Sequence, residues 1–277
     1  MGDLVGRTHL VTGANTGIGR ATAHELARRG ARVIFACRNQ AKTLPVIDNI
    51  KNDTGNDAVE FVALDLADLD SVRACATAVL AGDEPIHVLV NNAGIGGQRG
   101  ETTQGFELAF GVNHLGHFLL TTLLLDRVKE SAPARIVNVS STGHFQARGI
   151  DWERVRGPTR SFTGLPEYAV SKLCNVVFTQ ELARRLEGSG VTTYSLHPGA
   201  IASDIWRRMP FPLRQMATMF MRSPEHGART SIYCTTAPEL EGKSGGYYDN
   251  CREKEPSRRA TPALGAELWD KSEAWVA

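Results

Sequence analysis

Six short, nearly continuous apolar runs alternate with five longer helical patterns, and this alternation constrains the chain more than any other feature. The runs occupy 9–12, 32–37, 60–64, 87–91, 135–140 and 192–197. A strand with one wet face alternates apolar and polar side chains, whereas a strand covered on both faces stays apolar along its length. The helical patterns fall near 17–29, 40–51, 69–81, 103–130 and 166–188, and the last closes at Gly188-Ser189-Gly190, a C-terminal stop signal. Such a sustained βαβ alternation predicts an α/β fold, a doubly wound parallel sheet with helices on both faces. Ligands of that architecture sit outside the carboxyl ends of the strands. With 277 residues and no repeat, low-complexity tract or linker, a single domain over 1–277 is expected.

Composition removes several function classes. Lys and Arg total 31 against 30 Asp and Glu, a net charge of +1, and the basic pairs are scattered, so nucleic acid is not an expected partner. The five cysteines form no CxxC pair, which leaves neither a disulfide framework nor zinc-site spacing. His114 and His117 are three apart but have no third ligand at a recognisable distance, and no metal is expected. The first residues lack an apolar leader, and the densest apolar run, 118–125, is broken by two threonines. The expectation is a reduced, cytoplasmic protein without a transmembrane anchor.

The first strand runs into Gly13-Ala14-Asn15-Thr16-Gly17-Ile18-Gly19 and then a helix. In that place Gly13 permits a tight turn, Gly17 lets backbone approach a pyrophosphate, and Gly19 allows close helix–strand packing. The helix start adds free N–H groups and a positive dipole end. The residues after the second strand choose between dinucleotides, because an acid there binds the ribose 2′-OH of NAD and an arginine accommodates the 2′-phosphate of NADP. The strand ends Ala36-Cys37-Arg38-Asn39 with no acid, so Arg38 points to NADP(H).

Tyr168 and Lys172 are four apart, which stacks them on one helix face. A phenol ordinarily titrates near pH 10, and a neighbouring cation is expected to lower that value and make the pair a general acid/base. The fifth strand ends Asn138-Val139-Ser140-Ser141 and delivers hydroxyls to the same edge, where one could bond a substrate carbonyl oxygen. Asn113 interrupts an apolar helix pattern, where a buried amide must be bonded, either as part of a site or at a backbone kink.

The motifs TGANTGIG (12–19), NNAG (91–94), NVSS (138–141), YAVSK (168–172) and HPG (197–199) together resemble the short-chain dehydrogenase/reductase family. Segments 105–117, 173–187 and 190–199 and the YYDNC, EPS and LWDKSE tail resemble its retinol dehydrogenase-like branch. The resemblance implies a Rossmann-like fold and roles for matched residues. Tyr168 would be the general acid, Lys172 would lower its pKa and hold the nicotinamide ribose, Ser141 would polarise the carbonyl, and Asn113 would anchor a proton-relay water. Asp65 with Leu66, then Asn91, Ala93 and Gly94, would join the glycine turn in the cofactor cradle. Pro198, Gly199, Ile201 and Ser203 would cover the nicotinamide, Ser203 replacing the usual threonine. Membrane-bound members of the branch carry an apolar anchor before the first strand, and none is expected here because the first strand begins by His9. The long helices 103–130 and 166–188 are surfaces through which family members form homo-oligomers.

Four of the five methionines lie in 209–221, with Phe211 and Phe220, and suit an adaptable apolar lid over about 204–224, a core segment or a membrane contact. The 27-residue gap from Ser141 to Tyr168 contains Phe145, Trp152 and Phe162, which either wall the substrate site or pack on the surface. The expected function is reversible NADP(H)-dependent reduction of apolar, retinal-like or lipid-derived aldehydes and ketones. The alternatives are an NAD-linked dehydrogenase of a polar alcohol or polyketide-type substrate, and a cofactor-binding sensor without turnover.

Overall fold

A computed structural model of the protein describes residues 2–199 and 223–277. Its sheet has eight strands: β1 (Thr8–Thr12), β2 (Arg32–Cys37), β3 (Val59–Ala63), β4 (Val88–Asn91), β5 (Ala134–Val139), β6 (Val191–His197), β7 (Gly246–Asp249) and β8 (Arg252–Lys254). They lie in the order β3-β2-β1-β4-β5-β6-β7-β8, and all pairings are parallel except β7 with β8. The strand order therefore reverses between β1 and β4. At that switch point the loops after the two strands diverge and open a crevice.

Burial on both faces explains the unbroken apolar runs. One face takes Leu10, Ile34, Leu89 and Ile136 into a core with helices α3 (Leu69–Leu80), α4 (Leu108–Glu130), α5 (Leu165–Arg185) and α7 (Pro262–Val276). Their neighbours Val11, Val33, Phe35, Val88, Val90 and Val137 point the other way, into a core beneath α1 (Gly17–Arg28), α2 (Gln40–Thr54) and α6 (Pro224–Thr236). A period of two places alternate side chains on opposite faces, and here each face meets helices. Leu108–Glu130 is long and apolar enough to cross a membrane, but its apolar stretch is 78% buried inside this fold, as a core helix is.

The long helix departs from the expected 103–130. Gly105 adopts φ +75°, a left-handed turn that no helix can run through, and Glu107 accepts from the N–H of Phe110 as the cap. The helix starts at Leu108 and widens into a π-turn over Gly111–Leu115, around Asn113. The sequence reading also did not mark β7, β8, α6 and α7. The two strands have four and three residues, and β8 is exposed throughout, so neither carries a periodic apolar signal. Helix α7 packs on α4 and α5: Trp269 lies on Phe118 and Phe178 at ring distances of 5.0 and 6.0 Å, and His114 bonds Ser272.

Candidate active site at the carboxyl edge of the sheet

The glycine-rich turn is built by the geometry its spacing implies. Gly13 (φ +65°) and Gly17 (φ +54°) occupy the left-handed region. A Cβ on Gly19 would lie 2.4 Å from the Gly13 carbonyl oxygen, so only glycine lets α1 approach the strand end. Thr16 caps α1 with no side-chain bond, leaving the first N–H groups turned outward beside Asn15. The cradle thus fits a dinucleotide pyrophosphate. The side chain of Ile18 belongs to the core instead, packed with Ala228 of α6, so Ile18 can offer a ligand only its backbone.

The crevice wall across from the turn is tied to it by Thr12. The Thr12 hydroxyl accepts from the N–H groups of Asn92 and Ala93, both at 2.9 Å, and Asn92 Nδ2 donates to the Thr12 carbonyl at 2.7 Å. With both lone pairs used, the hydroxyl proton goes to His117 Nε2 at 2.9 Å, which leaves the His117 proton on Nδ1, 3.1 Å from the Asn113 carbonyl. Burial pushes the His117 pKa down to about 4, so the ring stays neutral. Neither Asn92 nor His117 was singled out for this role from the sequence; their partners lie 80 and 105 residues away.

Two further expected cradle residues could reach a ligand only through their backbone. The Asn91 side chain does not face the crevice. It donates to Thr121 and Asn138 at 2.9 and 2.8 Å inside the sheet, and Asn138 passes the chain on to Thr179. Strand pleating sends the side chain of residue 91 inward. The Leu66 side chain is buried in the core against Gly116. Asp65 does stand at the edge, its carboxylate accepting from Ala67 N–H, with Arg38 3.9 Å away at the end of β2. Pro198 and Gly199 follow β6 at the same edge; Ile201, Ser203 and the 209–221 segment lie outside the described residues.

The expected catalytic set does come together. Gly94 marks the junction, since a Cβ there would lie 3.2 Å from Asn113 Oδ1 and 3.4 Å from Lys172 Nζ. Asn113 is clamped by its π-turn: its amide oxygen accepts from Ile95 N–H, and Nδ2 donates to the Ile95 carbonyl and Ser171 Oγ. The kink reading of this residue holds, and its side chain stands at the junction with Lys172. The adjacent serines divide cleanly. Ser140 is buried and donates to the Lys172 carbonyl at 2.8 Å. Ser141 accepts from Gly143 N–H at 3.1 Å and lies against Tyr168, whose ring would be 3.3 Å from a Cβ on Gly143.

The electrostatics differ from the expectation. Burial raises the Tyr168 pKa, and the opposing influence is the Ser141 hydroxyl, not Lys172. The Lys172 ammonium donates to the Val139 carbonyl at 2.9 Å and stands 5.6 Å from the centre of the Tyr168 ring. Desolvation pushes Lys172 itself down to about 8. Among the described residues, no three His, Cys, Asp or Glu side chains converge as a metal site would require.

The insert between Ser141 and Tyr168 divides its aromatics. Trp152 packs on Trp275 and under Lys271, Phe145 lies on His144, and Phe162 is 89% exposed. The insert also lines a cleft of about 620 Å³ along the first turn of α5, with Ala147, Val155, Leu165, Pro166 and Val170 on its walls.

The family model for short chain dehydrogenases matches residues 7–152. Human retinol dehydrogenase 11 is 48% identical over 274 residues, covering 97% of this chain and 85% of that one. A solved structure of an uncharacterised protein from Mycobacterium paratuberculosis is 34% identical with a TM-score of 0.77, covering 99% of this chain and 96% of the other. The 3-ketoacyl-(acyl-carrier-protein) reductase of Brucella melitensis, solved with NADH, is 25% identical with a TM-score of 0.68 over 94% of this chain and all of that one. By sequence and by fold, this chain belongs to the short-chain dehydrogenase/reductase family, in its retinol dehydrogenase-like branch, and is an oxidoreductase of CH–OH and C=O groups.

Proposed function

We propose that the protein reduces apolar aldehydes and ketones of retinoid-like or lipid-derived type with NADP(H), reversibly, and that the described chain acts as one catalytic domain. The observation that carries the reading is the junction of Ser141, Tyr168, Lys172 and Asn113 at the same sheet edge as the glycine turn. A nicotinamide cofactor, when bound, supplies the hydride. Tyr168 protonates the carbonyl oxygen, and its raised pKa keeps the phenol loaded with that proton at neutral pH. Ser141 donates to the same oxygen as charge gathers on it. Lys172 is held by the Val139 carbonyl, 5.6 Å from the centre of the Tyr168 ring, where it would hold the nicotinamide ribose.

Arg38 supports NADP(H) over NAD(H): its side chain is 75% exposed at the end of β2, with no acid at that strand end to meet a 2′-hydroxyl. Apolar substrates are supported by the 48% identity to a retinol dehydrogenase. Initial rates with NADPH and NADH against retinal, a medium-chain aldehyde and a sugar test the reading, with Tyr168→Phe alongside. Turnover of apolar carbonyls with NADPH that collapses in the variant is the expected result. Preference for NADH or for the sugar overturns the cofactor or substrate assignment respectively.

A further inference from the structure

The loop carrying Ser141 is anchored by a residue that the reaction itself does not use. His144 is fully buried in the 3-10 helix Thr142–Gln146, which follows β5. Its Nε2 accepts from the backbone N–H of Ser257 at 3.0 Å. A neutral imidazole that accepts at Nε2 carries its proton on Nδ1, and Nδ1 lies 2.6 Å from the Ser141 carbonyl oxygen. The backbone N–H of His144 donates to that same oxygen at 3.1 Å. Both acceptor positions of the Ser141 carbonyl are thus filled by residue 144. The imidazole plane cannot swing, because Phe145 lies 4.0 Å from it on one side and Tyr247 meets it edge-on at 4.8 Å.

We infer that His144 is a positioning residue for Ser141, and that the Glu255–Ser257 segment, by fixing the His144 tautomer, is part of the active-site scaffold. The physical reason is directional. The serine hydroxyl must meet a substrate oxygen to within a fraction of an ångström, and its backbone is held at one carbonyl by two donors from one residue. Burial lowers the His144 pKa, which keeps the acceptor at Nε2 available to Ser257. A sequence-distant backbone N–H, 113 residues away, thereby decides how a catalytic hydroxyl is aimed. The inference rests on the reading of Ser141 as the residue that polarises the carbonyl.

The test is a double-mutant cycle of His144→Phe and Ser141→Ala on the full chain, read as kcat with NADPH and retinal, with NADPH affinity by fluorescence titration and melting temperature alongside. His144→Asn is included, since its side-chain amide can keep a donor near the Nδ1 position. In the parent, His144→Phe is expected to lower kcat by roughly 10- to 100-fold, with NADPH affinity changed by less than about twofold. In the Ser141→Ala background the same change is expected to cost less than about threefold, and His144→Asn is expected to recover most of the parent rate. An equal loss with and without Ser141 overturns the inference, because a general packing role acts independently of that hydroxyl. A His144→Phe protein that keeps its full kcat overturns it too. If Ser141→Ala alone leaves kcat unchanged, the reading of the serine fails first, and the cycle shows this separately.

Discussion

Two polar clusters, one inside the sheet and one at its carboxyl edge, behave oppositely. In the sheet interior, Thr121, Asn91, Asn138 and Thr179 form a hydrogen-bonded ladder with every amide donor of Asn91 spent on a protein partner. At the carboxyl edge, Ser141, Tyr168 and Lys172 are drawn together by burial and close approach, with the Tyr168 phenol raised and the Lys172 ammonium lowered. Desolvation without full compensation is costly, and proteins keep such arrangements where groups must change their bonding during a reaction. The difference teaches that the interior cluster spends its amide donors on fixed partners, whereas the edge cluster keeps a phenol and an ammonium of displaced proton affinity beside the crevice.

That contrast can be broken or sharpened by experiment. The largest effect is expected from Tyr168→Phe, which removes the proton donor and should lower kcat by about 10²- to 10⁴-fold while the melting temperature holds. Steady-state rates and a thermal melt check both halves. Ser141→Ala should follow, at roughly 10²- to 10³-fold in kcat, with cofactor affinity unchanged by titration. Arg38→Ala should raise the KM for NADPH about 10- to 100-fold and leave that for NADH nearly constant, since the arginine is expected to meet only the extra phosphate. Equal changes for both cofactors would sink that assignment.

The ladder should show the reverse pattern. Asn138→Ala orphans the Asn91 donor and should cost about 1–3 kcal/mol of stability in denaturant titration, while kcat at a temperature below the melt changes little. The most distributed effect is a pH dependence of stability. His9, His114 and His117 are buried neutral, with pKa values pushed down to about 3, 3 and 4. Between those values and the ordinary 6.5, the unfolded chain binds protons that the folded chain refuses, so stability falls as pH drops from about 6.5 toward 4. Melts between pH 7 and 4.5 should show this slope, and His114→Gln should flatten it.

Much of the site was legible from spacing. The Tyr168–Lys172 pair needs only the helical period, the glycine turn needs only its place between strand and helix, and the strands β1 to β6 announce themselves because both faces are buried. Roles that depend on which way a side chain turns were less legible. Asn91 was expected in the cradle and faces the sheet interior, Leu66 and Ile18 turn into the core, and the Tyr168 pKa moves up rather than down. The helix expected to start at 103 begins at 108 because Gly105 takes a left-handed turn, a signal that was present in the sequence as a glycine near the expected start.

The sequence by itself determined the sheet's strand-and-helix rhythm, the chemistry carried to its carboxyl edge and the family, because each is written in local periodicity and spacing. Tertiary structure alone decided where Asn113 finds its partners, and how His117 and His144 reach Thr12 and Ser257. The physical reason is that hydrogen-bond geometry is set by strand register and chain packing between residues about a hundred positions apart, and no local pattern encodes those distances.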